Sequence, residues 1–253
     1  MSVRILLLRS GSAGADDVAA DVTVLHTHTV DPRPEGVAEA LAFDVRGATL
    51  IVSSKETIRV LFPLFPLRFS LVVAVGEGTG DFLRRVNTGG RIDGTFGGAS
   101  TYSGAVEAQV VVPSTPGAAG VIHFLRKSST AVGVRILWPH GSDAALEPFE
   151  EIRALGFSLS APVVYSKRTL FPSELDPSVL ADFRAGRFSA VAVGSLAGLD
   201  ALLAAAPAPS HVRWGVLGPE TARGFAARKL PAPIVPERAR FSDLLELLRK
   251  ETP

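Results

Sequence analysis

The chain has 253 residues, of which 47% are hydrophobic and 20% are charged, and its formal net charge is +1. This length and apolar content predict one large or two medium-sized globular domains. The balanced charge argues against a general attraction to nucleic acid or to a membrane surface. The sequence has no cysteine, which excludes disulfides, thiolate nucleophiles and cysteine-based zinc sites. No apolar run has the length of a membrane span or a signal peptide, so we expect a cytoplasmic protein.

Short apolar runs alternate with amphipathic segments along the whole chain. We predict strands at 3–8, 23–30, 49–52, 71–75, 110–112, 135–138, 161–169, 190–193, 212–217 and 233–235. We predict helices at 13–20, 37–43, 55–61, 81–86, 117–127, 144–155, 177–184, 199–205, 221–230 and 241–250. This alternation predicts parallel sheets flanked by helices, the α/β class.

One segment differs from this pattern. Residues 87–108 are dominated by Gly, Ser and Thr and show almost no apolar periodicity. Such a composition buries little surface, so we expect an exposed loop or a loose hairpin.

The sequence contains an internal repeat. LIVSSKETIRVL resembles AVAVGSLAGLDALL, LVVAVGEGTGDFL resembles RWGVLGPETARGF, and VVVPSTPGAAGVIHFLRK resembles PIVPERARFSDLLELLRK, in the same order. A fourth unit, VRILWPHGSDAALEPF, resembles the N-terminal VRILLLRSGSAGADDV. The second copy of the repeat thus takes its fourth unit from the N-terminus of the chain. This order predicts two similar flavodoxin-like domains, one of which is discontinuous because it combines the first segment with the last third of the chain.

These repeats set the expected domain boundaries. The discontinuous domain combines residues 1–27 with 170–253, and the inserted domain covers 35–162. Residues 28–34 and 163–169 are then two strand-like linkers between the domains.

Well-known nucleotide and nucleophile motifs are absent. The Gly76–Gly80 turn follows a strand, but its third glycine comes too early for the dinucleotide fingerprint G-x-G-x-x-G. There is no P-loop and no G-x-S-x-G nucleophile elbow. The five histidines are scattered, so we expect no metal site.

Glycines and hydroxyl side chains collect where the predicted strands end. The candidate ligand-binding residues are Arg9, Ser53, Ser54, Gly76, Thr79, Ser114, His140, Gly141, Ser142, Ser195, Gly218 and Thr221. The carboxyl ends of parallel strands lie at one edge of a sheet, where ligands bind. Two such edges facing each other across a hinge would form a cleft suited to carboxylates or phosphates. For each Ser or Thr taken alone, helix N-capping is the better explanation, although capping and anion binding use the same groups and do not exclude each other.

Several of these motifs together resemble the uroporphyrinogen-III synthase family. They are LGPETARGF, the following IVPE and FSDLLELL, the pair Ser53-Ser54, VGEGT, and the segment LGFSLSAPVVYSKRT that contains Tyr165. The family pattern has a Gly-x-x-Thr-Ala turn near the C-terminus, a terminal Pro-Glu…Leu-Leu helix, and a tyrosine in the returning linker.

The resemblance implies a reaction. Hydroxymethylbilane, a linear tetrapyrrole with eight carboxylates, would lose its hydroxyl, invert ring D through a spiro intermediate and close as uroporphyrinogen III. The resemblance implies no cofactor and no metal, a cytoplasmic monomer, and no nucleic-acid or membrane partner. It also makes Tyr165 the candidate acid for the departing hydroxyl.

The resemblance also assigns binding residues, with departures. Thr221 and Thr79 match the threonines of the two turns, Ser195 and the pair Ser53-Ser54 match hydroxyls at strand ends, and Arg9 matches a basic residue at the end of the first strand. However, Gly80 replaces the usual alanine after the threonine, and residues 87–108 resemble an insertion.

A second hypothesis comes from another functional class. A hinged two-domain protein could bind a small acid without catalysing any reaction.

Overall fold

The computed structural model describes residues 3–10, 19–64, 69–87, 92–94, 98–100, 109–115, 117–127 and 133–250. Contacts divide the chain into two compact units. Unit 1 combines Met1–Thr29 with Arg168–Pro253, and unit 2 is Val30–Lys167. No described helix has both the length and the apolar content needed to span a lipid bilayer.

Unit 1 is built on a parallel sheet. The strands are β1 (Ile5–Ser10), β2 (Val22–Pro32), β12 (Ala190–Val193) and β13 (Arg213–Val216). They lie in the order β13-β12-β1-β2, and Ile234 extends the sheet by a parallel bridge to Gly215. The helices are α6 (Pro177–Arg184), α7 (Leu196–Ala205), α8 (Pro219–Ala227) and α9 (Phe241–Lys250), and a 3-10 turn covers Pro172–Glu174.

Unit 2 is built on a second parallel sheet. Its strands are β3 (Thr49–Val52), β4 (Leu71–Ala74), β7 (Gln109–Val111), β8 (Arg135–Leu137) and β10 (Ser158–Ser160). They lie in the order β10-β8-β3-β4-β7. Its helices are α1 (Pro34–Ala42), α2 (Lys55–Leu61), α3 (Glu77–Asn87), α4 (Ala118–Lys127) and α5 (Glu147–Ala154). An antiparallel hairpin joins β5 (Ile92–Gly94) to β6 (Gly98–Ser100).

The chain crosses between the units twice, in β2 and in β11 (Val163–Thr169). The two crossing strands are hydrogen-bonded to each other within both units. The Leu170 N–H donates to the Thr27 carbonyl at 2.9 Å in unit 1, and the Arg33 N–H donates to Val164 at 2.9 Å in unit 2. The short strand β9 (His140–Gly141) pairs with the other side of β11.

The two sheets correspond strand for strand, as the repeat predicts. In unit 1 Leu6 of β1 lies opposite Val191 of β12, and in unit 2 Leu137 of β8 lies opposite Leu50 of β3. Strands β12, β13 and the Ile234 bridge thus correspond to β3, β4 and β7, and β1 and β2 correspond to β8 and β10. Unit 1 has the flavodoxin strand order 2-1-3-4-5, and unit 2 is its circular permutation.

Apolar side chains cover both faces of each sheet. Within β1, Leu6 and Leu8 belong to one buried cluster, whereas Ile5 and Leu7 belong to another. Because neighbouring strand residues point to opposite faces, the uninterrupted apolar run in β1 supplies two cores. The prediction of two similar α/β domains with parallel sheets flanked by helices is confirmed.

Several predicted elements differ at their ends. Helix α3 begins at Glu77 rather than Asp81, and α8 begins at Pro219 rather than Thr221. Helix α5 is shorter than predicted and starts at Glu147. The predicted strand 233–235 is reduced to the bridge at Ile234. The predicted helix 13–20 lies almost entirely outside the described residues, as does much of the segment 87–108.

Candidate active site

The carboxyl end of β3 lies at the centre of the unit 2 sheet. The chain connections run in opposite directions from β3 and β8, and a ligand crevice is expected at such a switch point. Ser53 is exposed there, and Ser54 is half-buried with its hydroxyl accepting a 3.1 Å hydrogen bond from the Glu56 N–H. Ser54 therefore caps α2, and the exposed Ser53 lies beside it at the strand end.

The Gly76–Thr79 turn lies beside this serine pair. The Val75 N–H donates to the Val52 carbonyl at 2.9 Å, which joins the two strand ends. The carbonyl of Gly76 accepts the N–H groups of Thr79 and Gly80 at 3.1 and 3.0 Å. Thr79 is buried, with 9% of its surface exposed.

Close packing explains why position 80 is occupied by glycine. A Cβ atom at this position would clash with Cγ2 of Val112. The alanine expected from the family pattern would therefore require Val112 to move. The next strand end at this edge carries Ser114, which is exposed after β7.

Unit 1 repeats these features at equivalent positions. Ser195 caps α7 by accepting a 3.2 Å hydrogen bond from the Gly198 N–H. Gly218 is the N-cap of α8, and no side chain caps this helix. Thr221 is half-buried, whereas Thr79 is buried. An uncapped helix N-terminus offers N–H groups to an anion.

Arg9 lies at the end of β1, opposite His26 of β2. It is half-buried, and its carbonyl accepts a hydrogen bond of 3.4 Å from the Thr27 hydroxyl. The register of the repeat makes Arg9 the equivalent of His140 in unit 2.

His140 is buried, with 4% of its surface exposed. Its Nδ1 lies 2.8 Å from the Gly141 carbonyl oxygen, and its Nε2 lies 3.1 Å from that of Ala161. The ring also packs against Phe149, with 4.6 Å between the ring centroids. Both ring nitrogens thus contact backbone carbonyls.

Tyr165 packs directly on β9. The Ser142 N–H donates to the Tyr165 carbonyl at 2.9 Å. A Cβ atom at Gly141 would lie 2.6 Å from Cε2 of the tyrosine, so only glycine allows this approach. The Tyr165 residue is 2% exposed, and the Lys167 Nζ lies 5.6 Å from its ring centroid. Backbone contacts and a nearby cation therefore fix the position of the ring.

An open groove of about 360 Å³ adjoins this cluster within unit 2. Its lining residues are Arg33, Glu35, Gly36, Glu39, Ser142 and Val163. The lining has mixed charge, and Glu39 accepts a 3.1 Å hydrogen bond from the Ser160 hydroxyl.

The clearest pKa shifts belong to ion pairs rather than to these strand ends. Hydrogen bonds from Arg168, helped by the Phe171 N–H, lower the pKa of Glu174 to about 2. Hydrogen bonds from Arg46 and Arg135 hold the pKa of Asp44 well below its usual range. Among the described residues, no three His, Asp or Glu side chains are grouped so as to hold a metal ion.

The structure thus groups the predicted residues within each unit. In unit 2 the ends of adjacent strands bring together Ser53, Ser54, Gly76, Thr79 and Ser114, and β9 brings His140, Gly141 and Ser142 to Tyr165. In unit 1 the equivalent edge carries Arg9, Ser195, Gly218 and Thr221. Lys55, which directly follows the serine pair, lies at the same edge and is not among the predicted residues.

Comparison with known proteins gives a family match. The model of a family described as uroporphyrinogen-III synthase HemD matches residues 19–246. No curated protein matches the chain in sequence.

Solved structures provide a comparison of the fold. A uroporphyrinogen-III synthetase from Helicobacter pylori aligns with a TM-score of 0.58 and 15% identity, covering 99% of this chain and 100% of the other. A mutant uroporphyrinogen III synthase from the extremely thermophilic bacterium Thermus thermophilus aligns with a TM-score of 0.44 and 14% identity, covering 98% of each chain. At this identity the Helicobacter structure supports the shared fold alone.

Proposed function

We propose that this chain, which belongs to the uroporphyrinogen-III synthase family, binds hydroxymethylbilane through the strand ends of both units. Its activity is that of the family: a lyase reaction of porphyrin biosynthesis that closes hydroxymethylbilane to uroporphyrinogen III, with loss of water and inversion of ring D.

This proposal rests on the strand-for-strand correspondence of the two sheets. Both central strands end in a serine that caps the next helix, Ser54 and Ser195. Both neighbouring strands end in a glycine turn followed by a threonine, Thr79 and Thr221. Each unit therefore offers N–H and hydroxyl donors at one sheet edge, which suits a substrate with many carboxylates.

Tyr165 is the proposed acid. The departing hydroxyl must take up a proton to leave as water, and the phenol of Tyr165 can donate one. We expect a contribution of about 10²-fold, at the low end of the range for general acid catalysis. Holding the flexible tetrapyrrole in a folded conformation contributes to closure as well, because it removes conformational freedom before the reaction.

An NMR titration tests the proposed binding residues. Uroporphyrin III, the porphyrin obtained by oxidising the product, keeps all of its carboxylates and is a suitable probe. Added to ¹⁵N-labelled protein, it is expected to shift the amide signals of residues 53–57, 76–80, 194–198, 218 and 220–222. Shifts confined to other surfaces would overturn the assignment of the strand ends.

We propose further that the enzyme acts as a monomer in the cytoplasm. One chain carries both copies of the repeat, so a second chain is not needed to supply the second set of donors. The cysteine-free composition is compatible with a reducing compartment. Light scattering of the purified protein tests the first point, and a dimer at micromolar concentration would contradict it.

A further inference from the structure

Lys55 lies between the two strand-end turns of unit 2. It follows Ser54 directly and is half-buried. A Cβ atom built on Gly78 would lie 4.0 Å from Cε of this lysine, so its side chain passes beside the glycine turn. The Nζ lies 5.9 Å from the centroid of the Phe82 ring on α3. The ammonium group is therefore held at the edge where Ser53 and Gly76 present their polar groups.

The repeat shows that packing alone does not require a lysine here. Ser54 and Ser195 are equivalent, so the next residues, Lys55 and Leu196, are equivalent too. The same register relates Phe82 to Gly224. In unit 1, the end of the Leu196 side chain fills the space that a Cβ on Gly224 would need. An apolar side chain occupies this place in unit 1, whereas a cation lies over an aromatic ring in unit 2.

The two units also differ at the other cationic position. Arg9 of unit 1 corresponds to His140 of unit 2. The ring nitrogens of His140 contact the carbonyl oxygens of Gly141 and Ala161, and the side chain is buried. Unit 2 therefore has a histidine, His140, where unit 1 has Arg9. In unit 2 it is Lys55 that places a cation at the carboxyl edge of the sheet, at the end of a different strand.

Two arginine side chains share the aromatic ring on which Lys55 packs. The guanidinium carbons of Arg59 and Arg85 lie 5.2 and 5.9 Å from the same Phe82 centroid. Arg59 is neutralised by Glu56, at 2.6 Å between Nη1 and Oε1, and both side chains are buried. Lys55 is thus one of three cationic side chains that pack on the Phe82 ring, and Arg59 among them has a buried carboxylate partner.

We propose that Lys55 binds a carboxylate of the tetrapyrrole at the unit 2 strand ends and so contributes to selectivity for polycarboxylate substrates. This inference rests on the proposed function and adds to it a cation that the set of N–H and hydroxyl donors lacks. A charge-assisted hydrogen bond to a carboxylate is stronger than one from a neutral donor.

Three variants separate charge from packing. Lys55→Met keeps the aliphatic stem, and Lys55→Arg keeps the charge. Lys127→Met is the matched control, because this exposed lysine ends α4 at the opposite edge of the same sheet. The measurements are KM and kcat for hydroxymethylbilane, the Kd for uroporphyrin III at several salt concentrations, and the melting temperature.

The charge role predicts that Lys55→Met raises KM and Kd about tenfold, with kcat within about twofold of wild type. The difference should shrink as salt rises, because screening weakens the charge interaction. Lys55→Arg should restore the affinity, and Lys127→Met should leave it unchanged.

The inference would be overturned if Lys55→Met bound the ligand with wild-type affinity. It would also be overturned if Lys55→Met and Lys55→Arg weakened binding equally, because Lys55 would then have only a packing role on Phe82. The wild-type protein could bind uroporphyrin III without converting hydroxymethylbilane. The proposed mechanism would then fail, but the comparison of Kd between wild type and the Lys55 variants would still decide the role of Lys55.

Discussion

The backbone amide of Ser142 donates a 2.9 Å hydrogen bond to the carbonyl oxygen of Tyr165. This bond joins the loop after β9 to β11, and Gly141 leaves room for the tyrosine ring beside it. The ring position therefore depends on backbone contacts and on packing. The phenol oxygen can be removed without removing these contacts.

Tyr165→Phe is expected to lower kcat by about 10²-fold and to change the melting temperature little. Phenylalanine keeps the ring that packs on Gly141, so only the proton donor is lost. Steady-state kinetics with hydroxymethylbilane and thermal unfolding measure the two effects. An unchanged kcat would remove Tyr165 from the chemistry, and a large loss of stability would indicate a packing role instead.

Thr221→Ala is expected to weaken uroporphyrin III binding by about tenfold through the loss of a hydroxyl donor at the unit 1 turn. Thr79→Ala is the matched variant in unit 2. Because Thr79 is 9% exposed and Thr221 is half-buried, the loss of stability should be larger for Thr79→Ala. Fluorescence titration and chemical unfolding give both values. Equal affinity of Thr221→Ala and wild type would leave Thr221 without a part in binding.

The sequence predicted the fold well where apolar runs were long. Strands such as β1 and β12 are uninterrupted apolar segments, and their order follows from the repeat. The strands β9 and β10 were missed because two or three residues carry no periodicity. Helix α3 was predicted to start late because Gly78 and Gly80 lie in its first turns, and glycine disfavours helices.

The candidate site was predicted less completely than the fold. Strand-end hydroxyls such as Ser54 and Ser195 can be located from sequence because the apolar run stops beside them. One ring nitrogen of His140 contacts the carbonyl of Ala161, 21 residues away, and the side chain of Lys55 packs on Phe82 of another helix. Such contacts join separate elements, and no local pattern predicts them.

Arg59→Met is expected to destabilise the protein by about 3 kcal/mol or more, because it leaves the buried Glu56 carboxylate without its partner. The double variant Glu56→Gln with Arg59→Met should recover most of the lost stability, because it removes the unpaired buried charge. Urea unfolding of the single and double variants measures the difference. If the double variant is no more stable than Arg59→Met, the destabilisation comes from lost packing on Phe82.

The ion pair between Asp21 and Arg249 predicts a pH-dependent contribution to stability. The Arg249 guanidinium donates to both Asp21 carboxylate oxygens, at 2.6 and 2.8 Å, and these hydrogen bonds lower the pKa of Asp21. A lowered native pKa stabilises the fold above the unfolded pKa of about 3.9, and this stabilisation is lost as the pH falls through the native value.

Asp21→Asn should therefore unfold more easily than wild type at pH 7, by at most about 1 kcal/mol, since both side chains are partly exposed. The difference should disappear towards pH 2. Arg249→Gln is the partner control, and the double variant should be no less stable than the single ones. A difference that persists at pH 2 would show that the charge of Asp21 is not its source.

As a member of the uroporphyrinogen-III synthase family, this chain is expected to direct closure of hydroxymethylbilane to one isomer. The most direct test supplies freshly prepared hydroxymethylbilane to the purified protein and separates the oxidised products by chromatography. The expected product is predominantly isomer III, formed faster than by spontaneous closure in a protein-free control. Isomer I alone, at the rate of that control, would contradict it.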